Sequence, residues 1–283
     1  MFFIAEISSN HSQDIHRCLK LVEAAKESGF DAIKFQAFKI EELYAPEILN
    51  QSEEHMARKD WTFPIEFLPE IKQKCDEVGI SLGITPFYLQ AVNDCNDYVD
   101  FFKIASYELL WKELLIECCA SNKPMIISTG MANIDEVKAS VELIEKHNCN
   151  NLTILHCVSS YPVTDEEVNL GAISHMQDVF DWPIGWSDHS RNPNVVVSSV
   201  LKWGASTVEM HLDLDGSGEE YGPGHCWLPS DASEVIKICR ESVKFNGVGM
   251  KQPAKSEITE REWRADPVDG LRPFISIRKD YKP

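Results

Sequence analysis

Trp186-Ser187-Asp188-His189 and Val208-Glu209-Met210-His211 are the stretches whose reading decides the fold of this chain. Each closes an apolar run of strand character, Trp182-Pro183-Ile184-Gly185 before the first and Ala205-Ser206-Thr207-Val208 through the second, and each ends on a histidine. The histidines are 211 minus 189, or 22, residues apart, which leaves room for Val195 to Gly204 as an intervening helix. Strand, loop, helix and strand in that order force the two strands to run parallel. Both histidines then emerge at one C-terminal edge, where parallel barrels carry their chemistry. A single imidazole is as often a hydrogen-bonded core group as a ligand, but two at a shared edge point to a bound metal.

The same alternation extends outward over most of the chain. Strands are predicted from Phe2 to Glu6, Ala32 to Gln36, Ser81 to Thr85, Phe101 to Ala105, Met125 to Ser128, Leu152 to His156, Ile184 to Ser187 and Thr207 to His211. Helical patterns lie between them: Ile15, Cys18, Leu19, Val22 and Ala25 with Gly29 as terminator, Phe67 to Val78 ending at Gly79, and Ile134 to His147. This alternation, unbroken by any linker, predicts an α/β chain folded as a single-domain (β/α)8 TIM barrel. The competing doubly wound sheet lacks a glycine fingerprint for a dinucleotide. Lys39 to Trp61 reads as an extended loop over the barrel mouth. The barrel is expected at residues 1–246 and a polar tail, packing on or over it, at 247–283, with Glu257 to Arg264 helical and Asp266 to Pro273 irregular.

Of the 283 residues, 43% are hydrophobic and 25% charged, the balance of a soluble globular protein. No apolar stretch approaches the roughly 18 residues of a membrane span, and Glu6 interrupts the N-terminus too early for a signal peptide, so a cytoplasmic location is expected. A net charge of −18 argues against nucleic acid or an anionic membrane as partner. Nine cysteines, an odd number, fall largely in helical segments and read as reduced core residues.

The strand ends are polar. Lys34 and Lys103 sit inside apolar strands, where an unpaired ammonium would cost several kcal/mol, so each needs an anion: a buried glutamate such as Glu6 or Glu108, or a substrate phosphate or carboxylate. Hydroxyls at Thr85, Ser106, Ser128 and Ser187 add donors without charge. Lysines and hydroxyls around two histidines suggest a phosphorylated substrate and metal assistance. A Schiff-base aldolase is the rival chemistry for an inward lysine, but it leaves the histidine pair without a role.

In their order along the chain these motifs resemble the sialic acid synthase (N-acetylneuraminate synthase) family from about Phe3 to Val243. The resemblance implies a transferase barrel of carbohydrate biosynthesis that condenses phosphoenolpyruvate with an N-acylated aldose to give a 2-keto-3-deoxy sugar acid and phosphate. It implies a divalent metal, manganese or magnesium, on His189 and His211, with phosphoenolpyruvate held by Lys34, Thr85, Lys103, Ser106, Ser128, Tyr161 and Ser187. Glu6, Glu108 and Glu209 would be the catalytic acids around the reacting atoms. Three departures stand out. Gly222-Pro223-Gly224-His225 has glycine where the family commonly has aspartate, Ser159-Ser160-Tyr161 lacks an asparagine before the tyrosine, and no antifreeze-like domain follows. Arg261, Trp263, Arg264 and Arg272 cluster in the tail, which is a candidate to supply through an arginine the cation that domain brings, and a homodimer is compatible with the family. Another metal-dependent aldolase or lyase on the same barrel, or a non-catalytic sugar-phosphate binding protein, are the alternative functions.

Overall fold

Successive residues of a strand face opposite sides, so a sheet that closes on itself must sort its side chains into an inner and an outer set. The computed structural model describes residues 1–247 and 249–279, and in it eight parallel strands close in chain order. They are β1 (Phe2–Glu6), β2 (Ala32–Ala37), β3 (Ser81–Pro86), β4 (Phe101–Ile104), β5 (Met125–Ser128), β6 (Leu152–Cys157), β7 (Ile184–Asp188) and β8 (Thr207–His211). Pairing of β1 with β8, which sets Glu6 opposite His211, completes the ring. The fold is a (β/α)8 barrel, and the open-sheet alternative falls with closure.

The helices that follow the strands in turn are Ile15–Ser28, Leu68–Val78, Leu89–Cys95, Lys112–Ala120, Ile134–Lys146, Gly171–Val179, Pro193–Leu201 and Pro229–Ser242. Their ends are written in the sequence. Asp14 caps the first by accepting from His16 N, and Gly29, at φ 93°, takes the left-handed conformation that ends it. Asn133 and Glu136 form a capping box on Ile134–Lys146.

Outward-facing Phe3, Ile33, Leu82, Phe102, Ile127, Ile154, Trp186 and Val208 join helix residues such as Leu21, Ile71 and Ile144 in the main apolar core. Inward-facing Ile4, Ala32, Phe101, Ile126 and Leu155 form a second, smaller cluster that plugs the barrel. Glycines make that plug fit: a β-carbon on Gly83 would run into the Phe101 ring, and one on Gly185 into Leu155. Two residues further along each strand, on the same inward parity, come Glu6, Lys34, Lys103, Ser128 and Cys157. A polar layer therefore lies directly on an apolar one.

The stretch expected as an extended loop, Lys39 to Trp61, instead carries three short helices, Ile40–Leu43, Pro46–Leu49 and Glu53–Ala57, and a 3-10 turn, Arg58–Trp61. Pro46 opens the second, and Ser52 caps the third by accepting from His55 N. Helices of one turn are too short to show a period in sequence. All nine cysteines are buried and free of disulfides. Residues Met1–Val243 form one compact unit and Lys244–Pro283 a second. Within the second, two 3-10 turns, Lys255–Glu257 and Thr259–Trp263, replace the expected helix from Glu257 to Arg264. There Asp266 accepts from Val268 N and Ile275 N, and Asp269 pairs with Arg278.

Candidate active site

The C-terminal ends of the strands surround a cavity whose floor is the polar layer. Of the twelve residues singled out from sequence, ten line it: Glu6, Lys34, Lys103, Ser106, Ser128, Tyr161, Ser187, His189, Glu209 and His211. Gln36, Ala105 and Cys157 complete the wall. Thr85 and Glu108 stand just outside. Thr85 Oγ1 accepts from Lys34 Nζ at 2.7 Å, and Glu108 closes the 3-10 turn Ser106–Glu108 that follows β4.

Both floor lysines have carboxylate partners. Lys34 is in direct contact with the carboxylate of Glu6 and lies 3.9 Å from Glu209 Oε2. Lys103 donates to Ser128 Oγ at 2.6 Å and Ile104 O at 3.1 Å, and lies 3.6 Å from Glu209 Oε1. Glu209 also accepts from Ser187 Oγ at 3.2 Å, and Glu6 from Ser8 N and Gln36 Nε2 at 2.7 and 3.1 Å. Of the two anion sources open at the sequence level, buried glutamates are thus present for both lysines, with Glu209 rather than Glu108 beside Lys103. Burial, opposed by Glu209 and aided by the like charge of Lys103, brings the Lys34 ammonium down to about 7. Burial would raise Glu209, but Lys103 and Lys34 more than offset it and hold the group ionised. Glu108, part-buried and with Oε2 unpaired, is pushed up to about 7 by desolvation.

The histidines stand on the rim. His189 follows β7 directly, and its Nδ1 lies 2.8 Å from Val158 O; a carbonyl only accepts, so Nδ1 carries the proton and Nε2 keeps its lone pair. Asp188 beside it is occupied structurally, accepting from Trp186 Nε1, Trp227 Nε1 and Ser190 Oγ at 3.1, 3.0 and 2.6 Å. That network pins the strand end that carries His189. His211 ends β8, and burial lowers its imidazole to about 4, so the ring is neutral near pH 7. The two ring centroids are 5.2 Å apart, and the Tyr161 ring lies 4.1 Å from His189 and 6.0 Å from His211.

Sequence reasoning missed the loop that carries the chain from β8 to Pro229–Ser242. It returns beside its own start, with Trp227 N donating to His211 O and Asp213 N to Trp227 O. This brings Glu220, His225 and Cys226 to His211, so that one ligand atom from each of the four lies within 4.8 Å of the others. His189 is not in that group; its ring centroid lies 6.4 Å from that of His225. The signal was present in sequence, a histidine and an acid soon after a histidine that ends a strand, but Gly222-Pro223-Gly224-His225 drew attention for the acid it lacks.

Residues 21–251 match the family model described as NeuB family. The chain is 31% identical to N,N'-diacetyllegionaminic acid synthase of Legionella pneumophila, over 99% of this chain and 80% of that protein. It is 38% identical to the uncharacterised protein MJ1065 of Methanocaldococcus jannaschii, over 90% of this chain and 75% of that one. Among solved structures, N-acetylneuraminic acid synthetase from Leptospira borgpetersenii, in complex with citrate, superposes with a TM-score of 0.82 at 29% identity, covering 93% of this chain and 90% of that one. With its barrel, its polar floor and its match over most of its length, this chain belongs to the NeuB family of sugar-acid synthases.

Proposed function

We propose that the protein condenses phosphoenolpyruvate with an N-acylated aldose to give a 2-keto-3-deoxy sugar acid and phosphate, with a divalent metal at the histidines. The observation that carries this reading is the layering of the cavity: two buried lysines and their hydroxyl partners below, histidines above. The relatives named as synthases of N,N'-diacetyllegionaminic acid and of N-acetylneuraminic acid support an N-acylated sugar as acceptor.

Charge supports the metal. Lys34 and Lys103 face Glu6 and Glu209, and Glu220 on the rim adds a further carboxylate, so these groups together carry a net negative charge. A phosphate ester with its own carboxylate would be repelled without an additional cation. Residues to hold one are at hand, since His189 Nε2 has a free lone pair and both ring nitrogens of buried His225 are unpaired. His189 and His211 would hold a manganese or magnesium ion, which as a Lewis acid polarises the acceptor's aldehyde.

The chain's own groups perform the rest. Lys34 and Lys103 grip the phosphate and carboxylate, with Thr85 and Ser128 fixing the ammonium positions and Ser106 and Ser187 adding hydroxyls. Tyr161 covers the histidines from the open side. Carbon 3 of the enol bonds to the aldehyde carbon, and positive charge grows at carbon 2, where the ionised Glu209 stabilises it. Water adds to carbon 2, and Glu209 relays its proton to the former aldehyde oxygen. The bond between carbon 2 and the bridging oxygen of the phosphate then breaks, the new hydroxyl becomes the ketone, and phosphate leaves with its proton. Glu6 holds Lys34 in place, and Glu108, which burial pushes up to about 7, is a reserve acid at the end of β4.

The test is a panel of aldoses with phosphoenolpyruvate and Mn2+, read as phosphate release that requires both sugar and metal. Release independent of sugar would point to hydrolysis, and none with any aldose would favour a binding protein. His211→Ala is expected to lose turnover and metal binding together; activity kept in that variant would refute the assignment.

A further inference from the structure

His225 is 3% exposed, and neither of its ring nitrogens has a hydrogen-bond partner. A buried polar ring with both nitrogens idle costs free energy unless something engages them. Glu220 faces it. Glu220 Oε1 accepts from Ser8 Oγ at 2.6 Å, while Oε2 lies 3.2 Å from His211 Nδ1 and 3.7 Å from His225 Nε2. Donor atoms that share one ion at about 2.1 Å each stand about 3 Å apart at a right angle and about 4.2 Å apart when opposed, and both spacings fall in that interval. The rings agree. A ligating imidazole has its centroid about 3.2 Å from the ion, so no two can be more than about 6.5 Å apart. The centroids of His211 and His225, His189 and His211, and His189 and His225 are separated by 4.7, 5.2 and 6.4 Å.

We propose that His225 and Glu220, both on the loop after β8, are direct ligands of the ion assigned to His189 and His211, giving a three-imidazole, one-carboxylate site. The inference rests on the metal reading above and extends it to residues outside the strands. Cys226 stays out of the donor set because its thiol is already engaged, donating to Glu220 O at 3.2 Å and accepting from Asn10 Nδ2 at 3.5 Å. Nitrogen and oxygen donors without sulfur suit a first-row divalent cation such as Mn2+. The loop is braced for the task. Asn10 Oδ1 accepts from Glu220 N at 2.9 Å, and Arg17 Nε holds Asn10 O at 2.6 Å while its NH2 group reaches Asp213 at 2.6 Å. Gly218 packs so closely on Asn10 and Asp213 that a β-carbon there would clash with both. The ligand-bearing segment is thereby tied to the loop that follows β1.

The experiment uses the full chain stripped of metal, titrated with Mn2+ and followed by the electron paramagnetic resonance signal of the free ion, with no turnover required. His225→Gln and Glu220→Gln are each expected to weaken Mn2+ binding by about tenfold or more, with far-ultraviolet circular dichroism as the folding check. Pulsed resonance on the unaltered protein grown with 15N-histidine counts the coordinated imidazoles without any variant, and three are expected. A count of two, or parental Mn2+ affinity in both variants while His211→Ala loses the ion, overturns this inference and leaves the two-histidine reading intact. Parental affinity in His211→Ala as well, or no Mn2+ bound by the unaltered protein, removes the metal reading itself.

Discussion

Glu6, Lys34, Lys103 and Glu209 on the floor of the site come from four strands, β1, β2, β4 and β8, whereas Glu220, His225 and Asp213, the part of the rim that lies beyond the strand ends, come from one loop. Strand register positions the floor: Glu6 is paired with Lys34 across β1 and β2 and with His211 across β1 and β8. Side-chain bonds to residues about 200 positions away position the rim, from Ser8, Asn10 and Arg17. A floor group therefore cannot shift without disturbing the barrel, while a rim group can be loosened by cutting one brace. Binding of phosphoenolpyruvate belongs on the first kind of support, and activation and choice of the acceptor on the second.

The sharpest way to break the comparison is Lys103→Met. It strips Glu209 and Ser128 of the same ammonium and leaves a carboxylate more than nine-tenths buried with one cation fewer. Removing one partner of a buried pair costs about 3–5 kcal/mol, and losing a preorganised donor costs about 100- to 1,000-fold in rate. Denaturant unfolding and kcat/KM for phosphoenolpyruvate should both fall by these amounts. Unchanged stability would mean that the floor is not the tightly coupled layer described here.

The floor was legible in sequence because the rule that builds it is local. An alternation of period two places Glu6 above Ile4, Lys34 above Ala32 and Lys103 above Phe101, so finding the strand also finds the inward residue. The expected limits of β1, β5 and β8 coincide with those in the structure. Glu220 was illegible because its side chain and its backbone N–H are held by Ser8 and Asn10, more than 200 residues away, and no period links them. The segment from Lys39 to Trp61 was misread for a related reason: helices of four or five residues are set by single caps and packing, not by a repeating pattern.

A smaller effect is expected from Arg17→Met, which cuts the rim's main brace and leaves the floor untouched. Arg17 bridges Asn10 O to Asp213 and Asp215, and Asp213 is fully buried. Asp213 keeps its bond from Gly216 N at 2.6 Å but loses its cation, so the loop should loosen and some stability should be lost with it. We expect KM for the aldose to rise about tenfold, the effect of about 1.4 kcal/mol in positioning, with KM for phosphoenolpyruvate within about a factor of two. Equal rises in both constants would erase the division between floor and rim.

The smallest effect is a proton count, and it tests the floor alone. Burial disfavours the charge of Lys34 and brings its ammonium down from the ordinary 10.5 to about 7. The sign follows from linkage. A lysine whose folded value is depressed opposes folding below about 7, and that penalty is relieved as pH rises from about 7 toward 10.5, where the unfolded chain binds the extra proton. An anion reverses the depression, so phosphoenolpyruvate should restore the ammonium. Binding above pH 7 should then take up a proton, because burial leaves the free group only partly protonated there. Calorimetry in buffers of different ionisation enthalpy reads that number, and affinity should fall by close to tenfold for each pH unit above 7. Lys34→Met should remove both the uptake and its share of the pH dependence. Uptake that survives the substitution would assign the proton to another group, and Glu108, also near 7, is the one to examine next.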